Sequence, residues 1–251
     1  RHWARWSFFV EARMLPETVV CMKWKPPFAF RTTYKAEHVN VLRRMVARHY
    51  PHPHRFVCIT DDAKGIDPGV EVIPVWDDYA DIPPPQGGYN PSCYRRLRLF
   101  SREMEGLLGR RFVSIDLDCT IHADLTSLWD RPEDFVIFRS GLRQQHYNGS
   151  MFLLTAGARA KVWEEFQGRA SVKAAMRAGL VGSDQAWIEH CLGPNEATWG
   201  PRDGVYSYRL HLLRLGAKLP ENTRIVFYQG KAKPWHSHVH SLSSWVGEAY
   251  K

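Results

Sequence analysis

The apolar positions of the chain fall into two alternating periods. Residues 18–22 (Thr-Val-Val-Cys-Met) form a continuous apolar run, read as a buried strand, which ends at Lys23-Trp24-Lys25. From 36 to 50 the apolar points Val39, Leu42, Met45 and Val46 recur at helical spacing, until Pro51 and Pro53 stop the helix. A second strand covers 56–60, closed by Asp61-Asp62, and a third covers 70–75, with Gly69 before it and Pro74 near its end. The run Ile82-Pro83-Pro84-Pro85-Gln86-Gly87-Gly88-Tyr89 is the clearest loop. Residues 92–104 return to helical spacing through Leu97, Leu99 and Phe100, and 111–115 form a strand that runs into Asp116-Leu117-Asp118. Further strands are predicted at 135–138, 150–154, 205–208 and 224–228, with helices at 158–166 and 183–191.

Strand–helix–strand alternation in the first half predicts an α/β fold with a mainly parallel sheet and helices on both faces. The second half is more mixed, but no linker divides it, so one domain is expected. With 251 residues, 44% hydrophobic and 24% charged, the chain is an ordinary globular protein rather than a disordered or coiled-coil one.

Charge adds a local feature. Lys+Arg 34 against Asp+Glu 26 gives +8, and residues 1–55 alone hold 11 basic and 3 acidic side chains, also +8. The excess therefore marks an anion-facing N-terminal region, suited to a diphosphate, a nucleic acid or an acidic membrane surface. The five cysteines (21, 58, 93, 119 and 191) are scattered without a Cys-x-x-Cys pair, which argues against a zinc or disulfide framework and fits reduced thiols in the cytoplasm. No apolar stretch approaches the ~18 residues of a membrane span, and residues 1–13 lack the apolar core and cleavage site of a signal peptide.

Asp116-Leu117-Asp118 is the sharpest chemical signal. At a strand's end, period-two geometry puts both carboxylates on one side and Leu117 back in the core. Ligands of open α/β sheets sit beyond the carboxyl ends of strands, and two acids there suit a Mg²⁺ or Mn²⁺ ion bound to phosphate. The plain alternative is a turn cap.

The segment from Phe112 to Trp129, with Asp116-Leu117-Asp118 followed by Asp124-Leu125 and Leu128-Trp129, resembles the metal-binding segment of the retaining glycosyltransferases of family 8, the glycogenin and galactosyltransferase group. Other blocks resemble that family in the same order. They are Val39-Asn40 with Leu42, Tyr94-Arg95-Arg96-Leu97, Asn148-Gly149-Ser150 (with Gly and Ser exchanged), Asp184-Gln185, and Gly230-x-x-Lys233-Pro234-Trp235. The resemblance spans residues 19–235 and implies a single-domain GT-A (Rossmann-like) fold, with 1–18 as an N-terminal extension and 236–251 as a C-terminal tail. It also implies a nucleotide-sugar donor, usually UDP-linked, a divalent metal (Mn²⁺ or Mg²⁺), and a glycan, lipid-linked or other hydroxyl acceptor.

On that basis Asp116 and Asp118 are metal ligands. Asp184, Gln185 and Lys233 are catalytic, and Met22, Lys23, Trp24, Tyr34, Arg96, Asp116, Leu117, Asn148, Gly149, Gly230 and Lys233 bind the donor. Trp24 and Tyr34 are candidates to stack on the nucleobase. The family's metal-binding His is missing, because Phe227, Tyr228 and Gln229 stand before Gly230. Either Gln229 supplies an oxygen, or one of His236, His238 and His240 reaches back, or the metal keeps a water. Residues 83–89 are read as a lid or a plain surface loop. Two other functions stay open: sugar transfer to nucleic acid, held by the basic N-terminal region with Trp3, Trp6 and Trp24, and catalytically silent nucleotide-sugar binding.

Overall fold

The computed structural model describes residues 14–28, 30–88, 90 and 92–251. The chain runs β1 (Thr18–Lys23), α1 (Ala36–His49), β2 (Arg55–Thr60), β3 (Glu71–Pro74), a 3-10 helix (Tyr94–Phe100), α2 (Met104–Leu108), β4 (Arg111–Ile115), β5 (Cys119–Ile121), α3 (Thr126–Trp129), β6 (Phe135–Arg139), β7 (Tyr147–Thr155), α4 (Lys161–Glu164), α5 (Arg169–Arg177), α6 (Asp184–Leu192), β8 (Ala197–Trp199), β9 (Val205–Ser207), β10 (Ile225–Phe227), α7 (Ser237–Leu242) and α8 (Ser244–Ala249).

Seven strands form the main sheet in the order β3-β2-β1-β4-β7-β6-β8. All are parallel except β7, which runs antiparallel to both neighbours. Strands β1 and β4 lie at the centre, and their continuous apolar runs are covered on both faces. On one face Val20, Val57 and Phe112 pack with Leu97, Phe100 and Met104 and with Val162 of α4 and Ile188 of α6. On the other, Val19, Cys21 and Val113 meet Val39, Leu42, Met45 and Val46, the stripe predicted for α1. At the start of α1 the His38 ring accepts the Lys35 N–H at 3.0 Å, half of a reciprocal cap.

A second sheet, β5-β10-β9, covers this second core layer. Its other face packs Tyr206, Val226 and Tyr228 against Val239 and Val246 of the last two helices. Residues 236–251, expected as a tail, thus carry two packed helices whose end is tied to α1: Arg48 donates to the carbonyls of Ala249 and Lys251. The expected helix 92–104 is broken at Ser101, giving the 3-10 helix and α2. Strands β5 and β8 and helices α3 and α5 appear in addition. Among the described residues no helix is long and apolar enough to cross a membrane.

Candidate functional site

Asp116-Leu117-Asp118 joins the two sheets rather than extending β4. The Asp116 N–H donates to Ser150 O at 2.8 Å, continuing the β4–β7 ladder, and the Tyr228 N–H donates to Asp118 O at 2.9 Å, opening the β5–β10 ladder. Leu117 is buried in the core layer between the sheets. The carboxylates line a cavity of about 340 Å³ beyond the carboxyl ends of β1 and β4.

Each carboxylate meets a cation. Arg96, from the 3-10 helix, donates from Nη1 to Asp116 Oδ1 at 2.5 Å and from Nε to Asp184 Oδ2 at 2.7 Å, at the start of α6. Lys233 Nζ, almost wholly buried, donates to Asp118 Oδ2 and, at 3.1 Å, to Tyr228 O. The Tyr34 hydroxyl donates to the same Asp118 Oδ2 at 3.2 Å. Burial pushes the Asp116 carboxyl above its ordinary range, more than the Arg96 charge pulls it down. Burial, followed by the Asp118 charge, holds the Tyr34 hydroxyl well above the usual tyrosine value, so it remains a donor.

The residues singled out from the sequence converge here, since Met22, Trp24, Asn148, Gln185, Gln229 and Gly230 line the same cavity. Lys23 does not: it alternates with Met22 and Trp24 along β1, and its side chain is buried outside the cavity. Gly149 also stands off the wall, and its role there is spatial. A Cβ on it would come within 2.8 Å of Asp184 Oδ2 and 2.9 Å of Arg96 Nη2, so the Arg96–Asp184 pair occupies the space a side chain would need. Gly230 has φ +93, which favours glycine. Asn148 Oδ1 accepts the Ser150 N–H at 2.9 Å, and Gln185 Oε1 accepts the Gly149 N–H at 3.4 Å. Tyr34 lies edge-on to Trp235, with ring centroids 5.9 Å apart. Trp235 stacks on His38 at 3.9 Å.

Of the alternatives for the missing His, those at 236, 238 and 240 do not reach the cavity: His240 Nε2 is 2.6 Å from Pro234 O, and His236 packs against His238. Gln229 does reach it. Its Oε1 accepts the Ser207 hydroxyl at 2.6 Å, while its buried Nε2 has no hydrogen-bond partner among the described residues. With the amide turned over, the nitrogen keeps the bond to Ser207 and the oxygen takes the unpartnered position. Among the described residues no group of three His, Cys, Asp or Glu could hold a metal, and no donor reaches Asp118 Oδ1. Two carboxylates and one amide are hard oxygen donors, and this partial set fits a Mg²⁺ or Mn²⁺ ion that takes its remaining ligands from phosphates and water.

From the loop 83–89, Gln86 lines the cavity with Asn90, and Arg31 donates to Asn90 Oδ1 at 3.1 Å; Tyr89 lies outside the described residues. For the nucleic-acid alternative, Trp3 and Trp6 also lie outside them. Trp24 forms part of the cavity wall with the Arg95 guanidinium 5.9 Å from its ring centre, and Lys23 is buried, so neither forms an open basic–aromatic surface. Sequence reasoning missed Ser183 and Ser207. Ser183 takes the Cys93 N–H and donates to Asp184 Oδ1, and Ser207 holds Gln229. Cys93 and Gln229 lie 90 and 22 positions from these serines and leave no local pattern.

No protein-family model matches the chain, and no curated protein matches it. Solved structures do. A galactosyltransferase, LgtC, in complex with donor and acceptor sugar analogues is similar with a TM-score of 0.61 at 15% identity, over 93% of this chain and 96% of that one. The glycosyltransferase GlyE of Streptococcus pneumoniae TIGR4 gives 0.56 at 13% identity, over 88% of this chain and 57% of GlyE. The bifunctional glycosyltransferase WbbM gives 0.51 at 15% identity, over 94% and 51%. The chain has the GT-A fold, with a single main sheet, mostly parallel, as the alternation of its apolar runs predicts.

Proposed function

We propose that this chain is a glycosyltransferase of the family 8 kind, moving a sugar from a UDP-linked donor to an acceptor hydroxyl with retention, with Mn²⁺ or Mg²⁺ as cofactor. The observation that carries the reading is one cavity at the carboxyl ends of parallel strands in which Asp116 and Asp118 meet the fixed cations Arg96 and Lys233. The unpaired thiols of all five cysteines suit the cytoplasm.

Asp116 and Asp118, with Gln229, would hold the metal, which when bound would neutralise charge on the donor diphosphate. Lys233 adds a buried positive charge beside Asp118 where the leaving phosphate gains negative charge. Because burial and two hydrogen bonds fix it in advance, it costs little reorganisation during the reaction. Arg96 holds Asp116 and Asp184 in one arrangement. Asn148 keeps its amide N–H groups for sugar hydroxyls, because only its oxygen is engaged by Ser150. Trp24 and Tyr34 flank the base. The carboxylates of the cavity, Asp116, Asp118 and Asp184, are each paired with Arg96 or Lys233. None is therefore a free nucleophile, and the acceptor hydroxyl attacks on the face from which the diphosphate leaves.

The test is thermal unfolding with a panel of nucleotide sugars, with and without Mn²⁺, followed by turnover of the donor that protects. A ligand at ~100 times its Kd adds roughly 2.7 kcal/mol. Asp116→Ala, Asp118→Ala and EDTA should each abolish transfer. Full activity after any of them refutes the metal role, and protection by a donor without turnover favours the silent binder.

A further inference from the structure

Beside the main cavity lies a second one of about 360 Å³, and the two share Ser140 and Leu142 as a wall. Arg139, at the end of β6, Arg143 and His146, from the β6–β7 connection, and His211 line it with Ser140, and among the described residues no carboxylate does. The loop is closed by the Ser140 N–H on His146 O at 2.7 Å. It lies close to His211: a Cβ at Gly141 would stand 2.9 Å from His211 Nε2.

The polarity of this lining is one-sided. His211 Nδ1 accepts the Ser207 N–H at 2.9 Å, so in the neutral ring the proton is on Nε2. Ser140 Oγ accepts the Leu142 N–H at 3.2 Å, leaving its own hydrogen to donate. Arg139 and Arg143 are exposed, and among the described residues neither has an ion-pair partner. Two nearby acids already accept backbone N–H groups. Glu189 is buried behind His146, bonded to its Nδ1 at 2.5 Å and its backbone N–H at 2.8 Å, and Asp203 accepts the Gly200 N–H at 2.8 Å. Arg209, at the edge of the main cavity, is exposed and likewise lacks an ion pair. A neutral sugar carries an O–H donor on every hydroxyl and is best met by a wall that also offers acceptors. Arg139, Arg143, Ser140 and His211 offer donors, while the neutral His146 ring, with its Nδ1–H held by Glu189, adds one acceptor; a lining this rich in donors suits a group that only accepts.

We propose that this second cavity is an acceptor subsite for an oxyanion, a carboxylate or phosphate carried by the acceptor sugar next to the hydroxyl that is glycosylated. The proposal rests on the glycosyl-transfer reading, which places the donor in the main cavity and so leaves the adjoining cavity to the acceptor.

The experiment is titration calorimetry on the full chain saturated with UDP and Mn²⁺, which keeps anions off the diphosphate position. The probes are methyl β-glucoside, methyl β-glucuronide and glucose 6-phosphate. At least one anionic probe should bind about tenfold or more tighter than the glucoside, as a charge-assisted contact provides. Which one does so distinguishes carboxylate from phosphate. Arg139→Ala/Arg143→Ala should bring that probe down to the glucoside level, while UDP affinity on the same sample reports that the fold survives. Equal binding of all three probes, or a preference that persists in the double variant, overturns the subsite. Failure of the wild type to bind UDP removes the donor assignment instead, and with it the acceptor role of this cavity.

Discussion

Replacing Lys233 by Met keeps a long side chain and removes the ammonium. Lys233 is 2% exposed, and its Nζ donates to Asp118 Oδ2 and to Tyr228 O. Without it the Asp118 carboxylate, whose side chain is 9% exposed, keeps only the Tyr34 hydroxyl as donor, and the Tyr228 carbonyl loses this partner. Breaking a buried pair by removing one member costs about 3–5 kcal/mol. Asp118 lies on a cavity wall and retains one hydrogen bond, so the lower end applies, about 3 kcal/mol. In a chain of this size each 1 kcal/mol lowers Tm by about 2–4 °C, so a fall of about 6–12 °C is expected. Urea unfolding at pH 7 and calorimetry read the two quantities. Adding Asp118→Asn should restore part of the loss, with a coupling of about 1.5–3 kcal/mol, because the second change removes the uncompensated charge. A single-variant loss under about 1 kcal/mol, or strict additivity in the double variant, would show that no ion pair forms and would refute the reasoning.

In the same proposed enzyme Lys233→Ala should cut turnover by about 10²-fold or more, the scale of one preorganised donor, as a steady-state assay at saturating donor would read. Gly149→Ala forces a Cβ against the buried Arg96–Asp184 pair and should cost about 1–3 kcal/mol together with UDP affinity; wild-type stability and affinity would show that the pair gives way freely. Tyr34→Phe should lose only about 1 kcal/mol of stability and hold UDP within a few-fold, whereas Tyr34→Ala loses about tenfold or more, so equal effects on UDP would exclude a role for the ring. Burial lowers the His38 imidazole from 6.5 to about 4. The unfolded chain therefore takes up the proton first, and stability should fall by up to about 3 kcal/mol as pH drops from 6.5 toward 4. His38→Asn, which keeps an acceptor for the Lys35 N–H, should flatten that slope in urea unfolding between pH 7 and 5.

The central strands were legible because β1, β2 and β4 are continuous apolar runs, and α1 because Val39, Leu42, Met45 and Val46 sit at helical spacing. The elements that escaped are short or anchored by few apolar groups. Strands β5 and β8 have three residues each, too few to show a period. The buried positions of α5 are Ser171 and Ala175, which look like surface. Residues 236–251 read as a tail because Val239 and Val246 are the only fully buried apolar anchors within a His- and Ser-rich stretch. For the site, the residue types and their order were legible, but the pairing was not: Arg96 and Asp184 are 88 positions apart, and Lys233 and Asp118 are 115 apart. Arg139, Arg143 and His146 do stand close together in sequence as a basic cluster, yet His211, which closes the second cavity with them, comes from the turn after β9 and shares no local pattern.

The placement of Asp116-Leu117-Asp118 between the sheets explains how two like charges come to share one cavity. Each is fixed through its own backbone to a different sheet, Asp116 to β7 and Asp118 to the chain just after β10. Their counterions divide in the same way. Arg96 and Asp184 come from helices that pack on the main sheet, while Lys233 and Gln229 follow β10 of the smaller one. The cavity is thus two half-sites meeting at a buried leucine: in one Asp116 and Asp184 share Arg96, and in the other Asp118 pairs with Lys233. Charges paired in this way can be held below the surface at a cost that separate charges would not permit. The spacing between the carboxylates is then set by how the two sheets dock through Leu117, Phe227 and Ile115 rather than by side-chain rotamers. A diphosphate entering this cavity meets groups already held in position by both ladders, which is the condition under which fixed charges act most strongly on a developing one.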